Sequence, residues 1–255
     1  MKKTLFDVSE SGIATFTIDR PNRRNAIDYD VMDRLKEAIQ VCKDNSLIKA
    51  LIITGSGDKA FCSGGDLDVF HSIKTEQEAA IMLMKMGRIL YELLTLEKPT
   101  VAVMNGVAVG GGCEIAAACD IRIGSEHSRM GFIQGNLGIT TGWGGGSILF
   151  EKLPYNQALS MLQTAKLYSA QEAKELGFLQ YIALHEERME KAYEVLEEAV
   201  QKPLQVLSSY KQIVKRKWEQ SNLWDRINVE ILTCAKLWDS EPHHQAVEKF
   251  MTKSK

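Results

Sequence analysis

Three consecutive glycines separate an apolar run from a carboxylate in Asn105-Gly106-Val107-Ala108-Val109-Gly110-Gly111-Gly112-Cys113-Glu114-Ile115-Ala116-Ala117-Ala118-Cys119-Asp120. Lacking a Cβ, such a stretch lets the backbone approach a ligand closely. At a helix start it also leaves N–H groups without intrahelical acceptors, free to bind an oxyanion. The helical pattern resumes at Glu114, which places a carboxylate beside those amides. A second glycine turn, Ala60-Phe61-Cys62-Ser63-Gly64-Gly65-Asp66-Leu67, follows the strand-like Ala50-Leu51-Ile52-Ile53-Thr54 and offers another backbone donor. Two amide donors and one carboxylate suit a reaction that builds negative charge on a carbonyl oxygen while a proton moves.

Other reactive side chains do not assemble into a site in the sequence. Cys62 precedes the second glycine turn, but no histidine is fixed near it to make it a nucleophile. His127 falls on a strand-to-turn segment and His243-His244 near a helical C-terminal end, positions that suit surface or packing histidines. Cys42, Cys62, Cys113, Cys119 and Cys234 are odd in number and unclustered, so they form neither a disulfide framework nor a metal-ligand pattern. There is no phosphate-loop or dinucleotide fingerprint.

The elements that must hold these groups follow from periodicity. Leu5 to Asp19 alternates as a strand pair around Ser11-Gly12 and ends at Pro21-Asn22. Asp28 predicts a helix N-cap, with Val31, Met32, Leu35, Ala38, Ile39 and Cys42 on one face. Thr75 to Leu96 reads as a long amphipathic helix in which Met82, Met84 and Met86 fill core and suit an acyl pocket. Thr100 to Met104 is a buried strand, Glu114 to Cys119 a short helix, and Ile121 to Ile123 a further strand, after which the chain turns through Gly131 to Gly146. From about Glu186 the pattern is helical, broken at Pro203, and it holds Trp218, Trp224 and Trp238 as packing aromatics. Strand, turn and helix recur, which defines an α/β class.

With 255 residues, the chain can bury a full core as one large domain or a domain with an appendage. A net charge of −2 lacks the positive footprint of a nucleic-acid binder. Lys211, Lys215, Arg216 and Lys217 recur at helical spacing and read as a solvated face. No apolar stretch reaches the roughly 18 residues of a membrane span, and Met1-Lys2-Lys3 leads into strand alternation. These features and the unpaired cysteines predict a cytoplasmic protein with no membrane partner.

In this order the motifs resemble the crotonase (enoyl-CoA hydratase/isomerase) superfamily over nearly the whole chain. Arg20-Pro21-Asn22-Arg23-Arg24-Asn25-Ala26 is similar to that family's first strand exit, and Lys98-Pro99-Thr100-Val101-Ala102-Val103-Met104-Asn105-Gly106 to the strand feeding its glycine turn. Ser169-Ala170-Gln171-Glu172-Ala173-Lys174-Glu175-Leu176-Gly177 is similar to its late helix-turn. The resemblance implies an α/β crotonase-type spiral of repeated β-β-α units with an acyl-CoA site over residues 1–185. A C-terminal helical segment over 186–255 would then build a homotrimer, or a hexamer as a dimer of trimers. It further implies an enzyme whose CoA thioester is substrate rather than cofactor, with no metal. The oxyanion donors would be the Gly65 and Gly111 amides, an effect commonly worth a few kcal/mol per donor. Glu114 would be one of two catalytic glutamates, and CoA would run past Arg24 and the backbone of Ala26, Cys62 and Asp66. Phe132 and Trp143 would desolvate Glu114 and raise its pKa.

Two departures matter. The second glutamate position falls in Met130-Gly131-Phe132-Ile133-Gln134 and is Gln134, whose amide can orient a water but cannot deliver or accept a proton at neutral pH. That weakens two-carboxylate hydration, and isomerisation more. In Leu137-Gly138-Ile139-Thr140-Thr141-Gly142-Trp143-Gly144-Gly145-Gly146, a tryptophan precedes the paired glycines, a feature similar to the ethylmalonyl-CoA decarboxylase branch. The expected function is an acyl-CoA lyase of the enoyl-CoA hydratase/isomerase family, using two amides and a single glutamate. The alternatives are a decarboxylase of a short malonyl-CoA derivative, ethylmalonyl or methylmalonyl in type, and a non-catalytic or RNA-binding relative that kept the fold.

Overall fold

The alternating N-terminal segment forms β1 (Thr4–Val8) and β2 (Ile13–Ile18), an antiparallel pair with Phe6 opposite Phe16. The computed structural model describes residues 2–253. A 3-10 turn, Pro21–Arg23, leads to α1 (Tyr29–Asp44), where the Asp28 carboxylate accepts from the Val31 amide at 3.0 Å and the predicted apolar face is buried. Next come β3 (Ala50–Gly55), β4 (Ala60–Cys62), α2 (Leu67–Phe70) and α3 (Glu76–Leu94), the last started by a reciprocal Thr75–Glu78 cap. Met82 and Met86 are core, whereas Met84 is half-buried. The pattern repeats as β5 (Thr100–Met104), β6 (Val107–Val109) and α4 (Gly111–Ala118), then as β7 (Ile121–Ser125) and β8 (Arg129–Gly131). A 3-10 turn over Ile133–Leu137 precedes α5 (Gly145–Lys152) and α6 (Tyr155–Thr164), followed by β9 (Tyr168–Ser169), α7 (Ala170–Glu175) and β10 (Tyr181–Ala183). Four helices end the chain: α8 (Arg188–Val200), α9 (Leu204–Gln220), α10 (Leu223–Trp238) and α11 (Glu241–Lys253).

Successive strands of each unit go to different sheets. One sheet has the order β1-β2-β3-β5-β7-β10, the other β4-β6-β8-β9. Every pairing is parallel except β1 with β2 and β8 with β9. These are the repeated β-β-α units expected. Central strands are buried on both faces, as parallel strands must be. Ala50, Ile52, Val101, Val103 and Ile123 meet Ala192, Leu196 and Val200 of α8, whereas Leu51, Ile53, Ala102 and Met104 join the main core. α10 packs on α3 and buries Ile227, Ile231 and Cys234 in that same core.

Three expectations need correction. The helix after the triple glycine starts at Gly111, not Glu114, because Gly110 at φ +55° acts as the N-cap and the next two glycines are tolerated in a first turn whose other residues pack. The Gly131–Gly146 stretch holds part of β8, the 3-10 turn and the start of α5 rather than a turn alone. The basic face is not simply solvated. Lys211 pairs with Asp120, Lys215 with Glu97 at 3.6 Å and Lys217 with Glu151 at 2.9 Å, so α9 is tied to the core by charge. The tryptophans do pack as expected, Trp218 and Trp238 buried and Trp224 half-buried against the core.

Two buried asparagines tie the β3–β4 connection that leads into the first glycine turn. Asn25 accepts from the Arg20 amide at 3.0 Å and donates to the Ser56 and Ala60 carbonyls at 2.9 and 2.7 Å. Asn105 accepts from the Gly55 amide at 3.2 Å and donates to the Gly57 and Ala60 carbonyls at 2.8 and 3.1 Å. Replacing either by Ala strands buried backbone groups and should cost about 1–3 kcal/mol. Because both share the Ala60 carbonyl, a double-mutant cycle by urea unfolding should give a non-additive total. Strict additivity would show that the shared acceptor does not couple them.

Candidate active site

The two glycine turns leave neighbouring strands, since β4 and β6 pair in parallel. Gly64 adopts φ +87° and Gly110 φ +55°, backbone conformations that side-chain-bearing residues seldom take. They come close: a Cβ on Gly64 would stand 3.1 Å from the Gly111 nitrogen. The Gly111 amide opens α4, where no intrahelical acceptor exists for it. Gly65 forms a parallel bridge with Ile27 that uses the Gly64 carbonyl and the Asp66 amide, which leaves its own N–H outside the pairing.

Glu114 lies in the first turn of α4 and is only 2% exposed. Oε2 accepts from the Trp143 and Gly145 amides at 2.8 Å each, and Oε1 accepts from Gln134 Nε2 at 2.8 Å and lies 3.5 Å from the Gly142 nitrogen. The loop before α5 therefore wraps the carboxylate with backbone donors. Its glycines are needed for closeness, because a Cβ on Gly145 would collide with the Glu114 side chain. Burial pushes the Glu114 carboxyl up to about 8, the charge of Glu230 adds to that, and the three amides oppose it.

Trp143 is 4% exposed, and its ring lies against both turns. A Cβ on Gly111 would run into the six-membered ring, and one on Gly65 would come within 3.8 Å of it. Alanine at 111 therefore does more than crowd the amide; it requires the indole to move.

Gln134 is 8% exposed, and its side-chain oxygen is buried without a partner while its Nε2 serves Glu114. Glu114, Gln134, Gly65, Gly111 and Trp143 thus come together. Phe132 is buried and packs edge-on against Phe178, ring centroids 5.9 Å apart. Arg24 is exposed at φ +50°, with its carbonyl accepting from Ser63. The Ala26 carbonyl accepts from Arg20 at 2.6 Å, and the Asp66 carboxylate both caps α2 and pairs with Arg20 at 2.7 Å, so these groups brace the turn. Cys62 is buried, and burial raises its thiol to about 12, far from a nucleophile's range. His127 is exposed beside Glu126; His243 is buried with Nδ1 donating to the Leu137 carbonyl at 2.7 Å. Among the described residues no group of three or more His, Cys, Asp or Glu could hold a metal, and no helix is long and apolar enough to cross a membrane.

Sequence reading did not single out Glu230. It lies on α10 and accepts from the Gly146 and Ser147 amides at 3.1 and 2.7 Å. Nothing in its local sequence separates it from other helix-surface glutamates; only the packing of α10 against α5 brings it there.

The raised Glu114 pKa has a stability consequence with a definite sign. The carboxyl is neutral in both states below its ordinary value of 4.5, and between 4.5 and about 8 the unfolded chain ionises while the folded one resists. Its contribution is therefore complete at low pH and lost as pH rises through about 8. Glu114→Gln, neutral throughout, should gain on the wild type in thermal unfolding as pH rises from about 5 to 9. Parallel Tm curves would mean the carboxyl is not held neutral.

Residues 8–255 match the enoyl-CoA hydratase/isomerase family. A short-chain-enoyl-CoA hydratase of Clostridium acetobutylicum is 30% identical over 246 residues, 96% of this chain and 94% of that protein. An ethylmalonyl-CoA decarboxylase of Xenopus laevis is 32% identical over 243 residues, 94% of this chain and 81% of that one. The crystal structure of an enoyl-CoA hydratase from Bacillus halodurans superposes with a TM-score of 0.88 at 23% identity, covering 97% of this chain and all of that one, which shows a shared crotonase fold. The two glycine turns, the buried glutamate and this match along nearly the full length agree: the chain belongs to the enoyl-CoA hydratase/isomerase family and is a crotonase-type acyl-CoA enzyme.

Proposed function

We propose that the chain is an acyl-CoA lyase in which the Gly65 and Gly111 amides bind the thioester oxygen and Glu114 alone transfers the proton. The observation that carries this reading is the state of Glu114. It is sealed from water, and burial pushes its carboxyl up to about 8 against the pull of the backbone donors, which favours a carboxylic acid able to give up a proton at neutral pH. The acyl-CoA is the substrate and no further cofactor enters the scheme.

Among lyase reactions the site favours decarboxylation of a short malonyl-CoA derivative. The bond from the α-carbon to the carboxylate breaks, its electron pair moves into the thioester as an enolate held by the two amides, and CO2 leaves. The α-carbon then takes the Glu114 proton, which solvent replaces. Hydration needs an ionised base to activate water. Here the partner of Glu114 is an amide that donates to it, and a Glu114 carboxyl held neutral is a poor base. The Trp143 ring beside the glycine turns supplies an apolar wall that disfavours the departing carboxylate. Similarity to ethylmalonyl-CoA decarboxylases and to short-chain-enoyl-CoA hydratases alike is compatible with this reaction, and the choice between the two rests on the site.

Arg24, exposed at the first strand exit, is the cation we assign to the CoA phosphates, with the Cys62–Asp66 turn beneath the pantetheine arm. We assign the C-terminal segment, 186–255, to trimer contacts, because Val206, Tyr210 and Ile213 of α9 and Val229 and Leu232 of α10 are exposed apolar residues. The buried, unpaired cysteines fit a reducing cytoplasm.

Ethylmalonyl-CoA decarboxylation and crotonyl-CoA hydration should be measured side by side from about pH 6 to 10. Decarboxylation should dominate and fall as pH rises through the Glu114 titration. Glu114→Gln should lower it about 100-fold or more while acyl-CoA affinity holds. Gln134→Glu should raise hydration and lower decarboxylation, since a second carboxylate repels the substrate's own. Efficient wild-type hydration that increases through pH 8 would reverse the assignment, and failure to bind any acyl-CoA would favour a non-catalytic relative.

A further inference from the structure

The amides at the start of α5 are divided between two carboxylates carried by different helices. Trp143 and Gly145 donate to Glu114 of α4, and the next two residues, Gly146 and Ser147, donate to Glu230 of α10. The Gly146 amide also lies 3.2 Å from the Thr141 hydroxyl, so Glu230 holds the point where the loop folds back on its own beginning. That loop carries Gly138 and Gly144 at positive φ, together with Gly142, Gly145 and Gly146, and has little backbone stiffness of its own. Its register relative to Glu114 has to be imposed from outside. α10 can impose it, because Ile227 packs against Gly144 and Cys234 against Gly142, with Glu230 between them in sequence.

We propose that Glu230 is a positioning residue for Glu114: by gripping Gly146 and Ser147 it fixes the Trp143 and Gly145 amides that hold the Glu114 carboxylate, and its charge acts on that carboxylate. The assignment of Glu114 as proton donor is the reading on which its functional value rests. The ionisable groups facing Glu114 are Glu230 and Cys234 from α10 and Cys113 from its own helix. Burial drives both thiols well above their ordinary range, so Glu230 is the charge that matters. Neighbouring cations do not neutralise it: Arg226 and Lys217 are spent on Glu151 at 2.6 and 2.9 Å, and among the described residues no Lys or Arg forms an ion pair with Glu230.

The test uses the full chain as wild type, Glu230→Gln and Glu230→Asp. Glu114 is titrated by carbon-13 NMR of glutamate carboxyls, its signal assigned by loss in Glu114→Gln, so the readout needs no turnover. Glu230→Gln keeps one of the two acceptor oxygens and removes the charge, and should lower the Glu114 midpoint by on the order of half a pH unit or more. It should also lower kcat several-fold with KM nearly unchanged. Glu230→Asp keeps the charge on a shorter arm and should retain most of the wild-type midpoint while losing kcat. An unchanged midpoint in folded Glu230→Gln, or full kcat in Glu230→Asp, would overturn the proposal. A shifted midpoint that the pH–rate profile does not follow would uphold Glu230 as the residue that positions Glu114 and reject Glu114 as the proton donor.

Discussion

Keeping one carboxylate out of water is the constraint around which this molecule is arranged. An isolated buried carboxylate costs several kcal/mol unless it is hydrogen-bonded or neutralised. Glu114 has both remedies: backbone donors from the loop before α5 and a proton it retains near neutrality. Each remedy makes demands elsewhere. The donors require a glycine at 145, and the retained proton requires burial under Trp143, Gln134 and α10. The first turns of α4 and α5 converge on the same side chain, so the positive ends of two helix dipoles act on one group.

The opposite end of α4 is fixed just as firmly. The Cys119 carbonyl, beyond the last turn, accepts from Arg122 Nη1 at 2.9 Å and Lys152 Nζ at 2.5 Å. Burial, with Arg122 close by, pushes the Lys152 amine down to about 7. The buried Arg122 cation and the Lys152 amine both donate to the C-terminal end of the helix, where donors complement its dipole. α4 is thereby held at both ends, a rigid mount for the Gly111 amide and Glu114. Lys152 closes α5, whose first turn grips Glu114, so both helices are joined at each end.

Much of this was legible in sequence because it is local. The buried face of α1 and its Asp28 cap follow from spacing and one side chain, and the glycine turns announce themselves by composition. What could not be read is where distant segments meet. A tract of glycines weakens a helix on propensity grounds, so the start of α4 reads three residues late, although tertiary packing stabilises the extra turn. Lys211 looks like any surface lysine until α9 is laid beside Asp120. Phe132 sits in sequence two residues before Gln134 and packs on Phe178, just beyond α7, a contact that its local sequence does not announce. Glu230 carries no local mark at all.

The alternation of strands between two sheets governs how the chain can fold. In the six-stranded sheet Leu51 pairs with Thr100 and Tyr181 with Ile123, so each parallel contact closes a long loop of intervening chain. Local hairpins are confined to β1 with β2, and the rest of the sheet is assembled from remote partners. Such a topology has a high contact order and folds slowly, because chain entropy is lost before the pairing contacts repay it. The groups around Glu114 come from α4, the 133–137 turn, the loop before α5, and α10, which is itself drawn from the last part of the chain. The site is therefore complete only when α10 has docked on α3 and α5, far along the chain from the glycine turns it closes over.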